Sequence, residues 1–155
     1  MIDDITIARA LHVLAVVHWI GGVSFVTLIV LPLARRCGAA GIDLFERIEH
    51  GFSRQVRASI PLAGASGFWM TWRMDLWDRF AEPAFWWMTA MVAVWILFMT
   101  VVFVIEPLLG PRLMQAARLR PQAFLTRALR LHILLLLASA VTVLGASAGA
   151  HGFFF

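Results

Sequence analysis

Long apolar runs alternate with short arginine-bearing segments along this chain. The first run covers about residues 5–33, closing on Pro32 and Arg35-Arg36; the others cover 56–74, 83–109 and 125–149. Each meets the roughly 20 residues an α-helix needs to cross a bilayer, the second only with its polar flanks. Pro61 falls inside the second run, Pro83 where the third begins and Pro107 near its end, positions at which proline kinks or bounds a helix. Between the first two runs Phe45, Ile48, Phe52 and Val56 recur at helical spacing, with Glu46, Glu49 and Arg54 between them. That pattern predicts a short amphipathic helix at the membrane surface, leading into the second span. The expected architecture is all-α: one integral membrane domain over residues 1–155, a four-helix bundle.

The composition agrees, with 61% hydrophobic and 14% charged residues. A soluble domain of this size cannot bury so much apolar surface. All 13 basic residues are arginines, and ten of them flank the loops between runs one and two and between runs three and four. Only Arg9, Arg73 and Arg79 lie on the other side, where Asp75, Asp78 and Glu82 balance two of them. The positive-inside rule then puts both termini outside (N-out/C-out) in a bacterial inner membrane. The arginines are read as topology signals and lipid contacts, which disfavours nucleic acid as a partner. The acidic start Met1-Ile2-Asp3-Asp4 and the long first run do not match a cleaved signal peptide, so the first helix is expected to stay. The single cysteine, Cys37, excludes an intrachain disulfide and a cysteine metal cage.

Candidate chemistry is concentrated in the histidines. His12 and His18 lie in run one, His132 in run four, His151 just beyond it, and His50 in the loop after run one. A neutral imidazole inside a membrane offers a nitrogen lone pair to iron or copper, and an intramembrane ionisable residue is a functional candidate by default. At about 1.5 Å per residue, His12 falls roughly 10 Å to the outer side and His18 near the midplane. His132 falls roughly 12 Å inward and His151 roughly 16 Å outward, which makes His12 with His151 the best depth match for one cofactor. Arg9, three residues before His12, shares its helix face and suits an anion such as a haem propionate, Asp3, Asp4 or lipid phosphate. Arg73 is a second candidate for a propionate.

Met70 with Met74 and Met88 with Met91 form outer pairs that could take Cu(I), though thioethers more often simply pack. Gly21-Gly22, the 63–67 segment and Gly145-x-x-x-Gly149 suit either close helix packing or a flat ligand. Trp69, Trp72 and Trp77 with Trp86 and Trp87 read as an outer aromatic belt. Glu106, the one acidic residue in the spans, is expected to pair with an arginine such as Arg112.

The stretch 11–22, with Leu11-His12, then Trp19-Ile20-Gly21, resembles the first helix of a group of bacterial four-helix membrane proteins. That group includes the copper-resistance D domain and the HemJ-type protoporphyrinogen oxidases. Phe52-Ser53-Arg54 followed by the 62–67 segment resembles the group's second helix. Glu106-Pro107-Leu108, Arg130-Leu131-His132 and the 149–152 ending resemble a subgroup of uncharacterised small membrane proteins. The resemblance implies haem or copper handling, with His12 at the group's first-helix histidine. The combined expectation is a b-type haem protein in electron transfer or haem-linked redox chemistry, with His12, His151, His132 and His18 as candidate ligands. Copper transport or delivery and a HemJ-type oxidase are the alternatives. A redox partner and a homo-oligomer, in which another protomer supplies a ligand, stay open.

Overall fold

A computed structural model of the chain describes residues 3–38 and 40–152. It holds four long helices, which we number α1 (Asp4–Arg36), α2 (Ala40–Arg73), α3 (Pro83–Leu119) and α4 (Pro121–Ala150). Asp3 caps α1 by accepting the Thr6 backbone N–H at 2.6 Å, satisfying one orphan donor of the first turn. Asp75, in the left-handed conformation at φ 50°, closes α2, with the Leu76 N–H reaching back to the Thr71 carbonyl at 3.0 Å. A single residue, Arg120, separates α3 from α4, and Pro121 starts α4 where its missing N–H costs nothing.

Three of these helices, α1, α3 and α4, are long and apolar enough to cross a membrane, which fits a multi-pass membrane protein. The apolar part of α2 is confined between Arg57 and Arg73, shorter than the roughly 20 residues a bilayer core requires. The amphipathic segment is not a separate surface helix. It is the first half of α2, continuous through Pro61 with the second run. The cause is α1, which continues to Arg36 and gives Ile42, Phe45 and Val56 an apolar wall to pack on.

α1 and α2 run antiparallel in a fixed register. Asp4 faces Arg73, His12 faces Ala63 and Ser66, His18 faces Ser59, and Gly22 lies under Phe52. Two buried clusters follow. One joins Trp19, Ile60 and Phe98, with Trp19 edge-on to Phe98 at 4.9 Å; the other joins Leu31, Ile42, Ala117 and Leu125. Leucines and valines such as Leu14, Leu28, Leu134 and Leu144 point outward, a surface that suits lipid rather than water.

Both α1 and α3 carry a widened π turn, Val26–Val30 and Val101–Ile105. Each stands just ahead of a proline, Pro32 and Pro107. That proline cannot donate to the carbonyl four residues back, and the helix widens there rather than ending.

Gly21 faces open space, whereas Gly22, Gly64, Gly145 and Gly149 are covered by protein side chains. Cβ atoms added at Gly64 and Gly149 would strike the rings of Trp95 and Trp87, at 2.5 Å and 2.2 Å. These positions serve close packing and leave no slot for a flat ligand.

Candidate functional site

His12 is held from the neighbouring helix. Its Nδ1 lies 2.8 Å from the Ala63 carbonyl and 3.3 Å from Ser66 Oγ. The Ser66 hydroxyl already gives its proton to the Leu62 carbonyl at 2.6 Å. Both partners of Nδ1 are therefore acceptors, so Nδ1 carries the hydrogen and Nε2 keeps its lone pair. Gly67 borders the ring, and a Cβ there would stand 3.2 Å from His12 Cε1.

His132 and His151 reach the same tautomer within α4. Their Nδ1 atoms lie 2.9 Å from the Ala128 carbonyl and 2.8 Å from the Ser147 carbonyl. His132 is half-buried, edge-on to Phe45 at 6.4 Å, whereas His151 is exposed. His18 differs, with Nδ1 3.2 Å from Ser59 Oγ and Nε2 3.3 Å from Gln55 Oε1. Both of its nitrogens are occupied by α2. In none of these hydrogen bonds does one histidine meet another. Among the described residues no three His, Cys, Asp or Glu side chains gather into a cation cage.

Arg9 and Arg73 differ in their surroundings. Arg73 binds Asp4 through Nε at 2.6 Å and Nη2 at 3.3 Å, and Trp69 Nε1 donates to the same carboxylate at 3.2 Å. Arg73 is thus engaged within the protein. Arg9 is exposed and forms no ion pair or hydrogen bond among the described residues, though its charge still reaches the Asp3 carboxylate. Among the methionines, Met88 is buried and Met74 exposed. The described residues include two shallow clefts. One of about 570 Å³ is lined by Asp43, Glu46, Arg47, His50 and Arg118, and one of about 520 Å³ by residues including Glu82, Trp86 and Thr89. Neither is lined by His12, His18, His132, His151 or Arg9.

A polar cluster at the arginine-rich end escaped the sequence reading. Glu106 pairs with Arg57, at 3.3 Å, and accepts the Ser53 hydroxyl, rather than meeting Arg112. Glu49 stands one turn before Ser53 on the same helix face. Burial first, then the charges of Glu106 and Glu46, push Glu49 up to about 7. The signal was available: Phe45, Glu49, Ser53 and Val56 fall on one helix face, and the other three are buried.

The class these observations define is an all-α protein of four long helices, three able to span a membrane. No family model matches the chain, and no curated protein or solved structure is similar to it.

Proposed function

We propose that the chain is a multi-pass protein of a bacterial inner membrane, with both termini outside and α2 as its fourth span. In this reading it binds a b-type haem and acts in electron transfer or haem-linked redox chemistry. The observation that carries the reading is the hydrogen bonding of His12. Metal-ligating histidines characteristically donate their second ring N–H to a carbonyl or carboxylate, which fixes the tautomer and raises ligand basicity. The Ala63 carbonyl does this for His12 and leaves Nε2 available. The free Nε2 fits a neutral imidazole ligand to iron, and among the described residues no closed cage for a bare cation is present. Arg9, one turn away and without an ion pair or hydrogen bond among the described residues, would take a propionate. His151 or His132 would supply a second nitrogen, and His18, with both nitrogens bonded, is the weakest candidate ligand. When bound, haem would supply one-electron redox chemistry. The chain would orient the imidazole and neutralise the propionate.

The test is the visible spectrum of protein purified from haem-replete membranes. A Soret band is expected in the wild type and in His18→Ala, and its loss in His12→Ala. A colourless wild-type protein overturns the reading.

A further inference from the structure

The segment joining α2 to α3 folds back onto the first turns of α3 and forms a cleft of about 520 Å³. That volume lies within the roughly 300–1,000 Å³ of small-ligand sites. Phe80 and Trp86 give the cleft aromatic surface, Thr89, Ala90 and Ala93 keep it open, and Glu82 is its one charged group. Both rings are held in place. Phe80 stacks on Trp77 with centroids 6.2 Å apart and 28° between the planes. Trp86 covers Gly145 of α4, where an added Cβ would stand 2.6 Å from the ring. Three and four residues past Ala93, Ile96 and Leu97 are exposed, so the apolar surface continues along α3. The charges here are unsatisfied. Glu82 is exposed, and its carboxylate enters no ion pair or hydrogen bond among the described residues. Arg79 lies three residues earlier, with its guanidinium carbon 4.8 Å from the centre of the Phe85 ring, and it too enters no ion pair. The backbone ties the two together, because the Glu82 N–H donates to the Arg79 carbonyl at 3.3 Å. The two opposite charges nevertheless do not pair with each other.

We propose that this cleft binds a membrane phospholipid whose headgroup ends in a primary ammonium, as in phosphatidylethanolamine. The argument is charge complementarity joined to an apolar path. A primary ammonium brings three N–H donors and a positive charge to the Glu82 carboxylate, an acceptor left without a partner. The Trp86 ring beside it attracts the same cation through its face. Arg79 offers free N–H groups to the lipid phosphate, so a neighbouring plus and minus on the protein meet a minus and plus on the lipid. The acyl chains then follow Ala90 and Ala93 down to Ile96 and Leu97. An anionic glycerol headgroup would meet Glu82 with like charge, and a choline headgroup has no N–H to donate to it. The proposal rests on the chain being a membrane protein and is independent of haem.

The experiment offers the full chain, delipidated in detergent, an equimolar mixture of phosphatidylethanolamine, phosphatidylcholine and phosphatidylglycerol with distinguishable acyl chains. Native mass spectrometry counts which lipid stays bound. The wild type should retain phosphatidylethanolamine about two- to fivefold over the other two, the worth of an exposed ion pair. Glu82→Gln should erase that preference, and Arg79→Gln should lower retention of all three lipids. Ala93→Phe, which fills the cleft from an exposed position, should lower phosphatidylethanolamine retention. Glu82, Arg79 and Ala93 are all exposed, and an unchanged melting temperature in each variant separates lost binding from lost folding. Equal retention of the three lipids by the wild type overturns the site alone, as does a preference that survives Glu82→Gln. Retention untouched by Arg79→Gln or by Ala93→Phe overturns it as well. A chain that retains no lipid of any kind overturns the site together with the membrane reading.

Discussion

Gly41→Ala tests the hairpin that joins α1 to α2. Gly41 lies at the start of α2, and a Cβ built there would stand 1.9 Å from the Ala34 carbonyl oxygen and 2.7 Å from its carbon. Both are backbone atoms of a buried turn, so no side-chain rotation relieves the clash. The start of α2 must move outward, carrying Ile42 and Phe45, which are 1% and 4% exposed and pack on Leu31, Ala34 and Leu125. Such overpacking costs about 1–3 kcal/mol. The helix preference of alanine over glycine returns about 0.5–1 kcal/mol. The net loss of about 1–2 kcal/mol corresponds to a melting temperature lower by about 2–8 °C for a chain of this size. Gly51→Ala is the matched control: it sits in the same helix with nothing within 4 Å of the added carbon. It keeps only the propensity gain and should melt about 1–4 °C higher. Thermal unfolding followed by circular dichroism in one detergent compares the two. If both variants melt above wild type, α2 does not approach α1 as described.

Glu49 gives stability a pH dependence with a definite sign. The folded carboxyl keeps its proton up to about 7, while the unfolded one releases it near the ordinary 4.5. Folding therefore takes up a proton inside that window, and the melting temperature should fall as pH rises through it, then level off above about 7. Glu49→Gln should flatten that slope, and an unchanged slope would exclude Glu49 as its source. Trp95→Phe should destabilise by about 1 kcal/mol, because Trp95 Nε1 donates to the Ile60 carbonyl at 2.9 Å across α2 and α3. Unfolding at the wild-type temperature would mean the bond contributes nothing. Ser66→Ala removes one of the two acceptors of His12 Nδ1 but leaves the Ala63 carbonyl in place. Haem retention should weaken by roughly tenfold, the lower end for loss of an outer partner of a metal ligand; complete loss would show that Ser66, not Ala63, sets the tautomer.

Three of the four long helices could be read directly, because α1, α3 and α4 are bounded by turn chemistry and are apolar along most of their length. α2 was harder. Its first half has the charge pattern of a surface helix, and only the partner reveals that Phe45 and Val56 extend the same buried face as Ile60 and Ala63. Pro32 and Pro107 look like stops, yet each helix absorbs its proline by widening one turn earlier. The Glu106 pairing shows the limit of proximity along the chain. Six residues on, Arg112 lies round the far side of α3, whereas Arg57 reaches Glu106 from another helix. The histidine positions were plain in the sequence, but their tautomers depend on carbonyls and hydroxyls that only the packing brings near.

Depth alone ranks the histidines by where they sit, and bonding ranks them by how firmly they are aimed. His132 and His151 borrow a carbonyl from the preceding turn of α4, a contact either would make in an isolated helix. The ring of His12 is instead fixed by tertiary structure. It needs α2 in register, Ser66 turned toward Leu62, and no side chain at Gly67. A ring held this way is pre-organised before any ligand arrives, and pre-organisation separates a metal-binding imidazole from one that merely satisfies its hydrogen bonds. The same register places His18 against Ser59 and Gln55, which use up both of its nitrogens. One helix–helix contact therefore leaves a ring nitrogen of His12 free and occupies both ring nitrogens of His18. A shift of α2 along α1 by a single turn would undo both, so binding at His12 and the stability of the α1–α2 pair should rise and fall together.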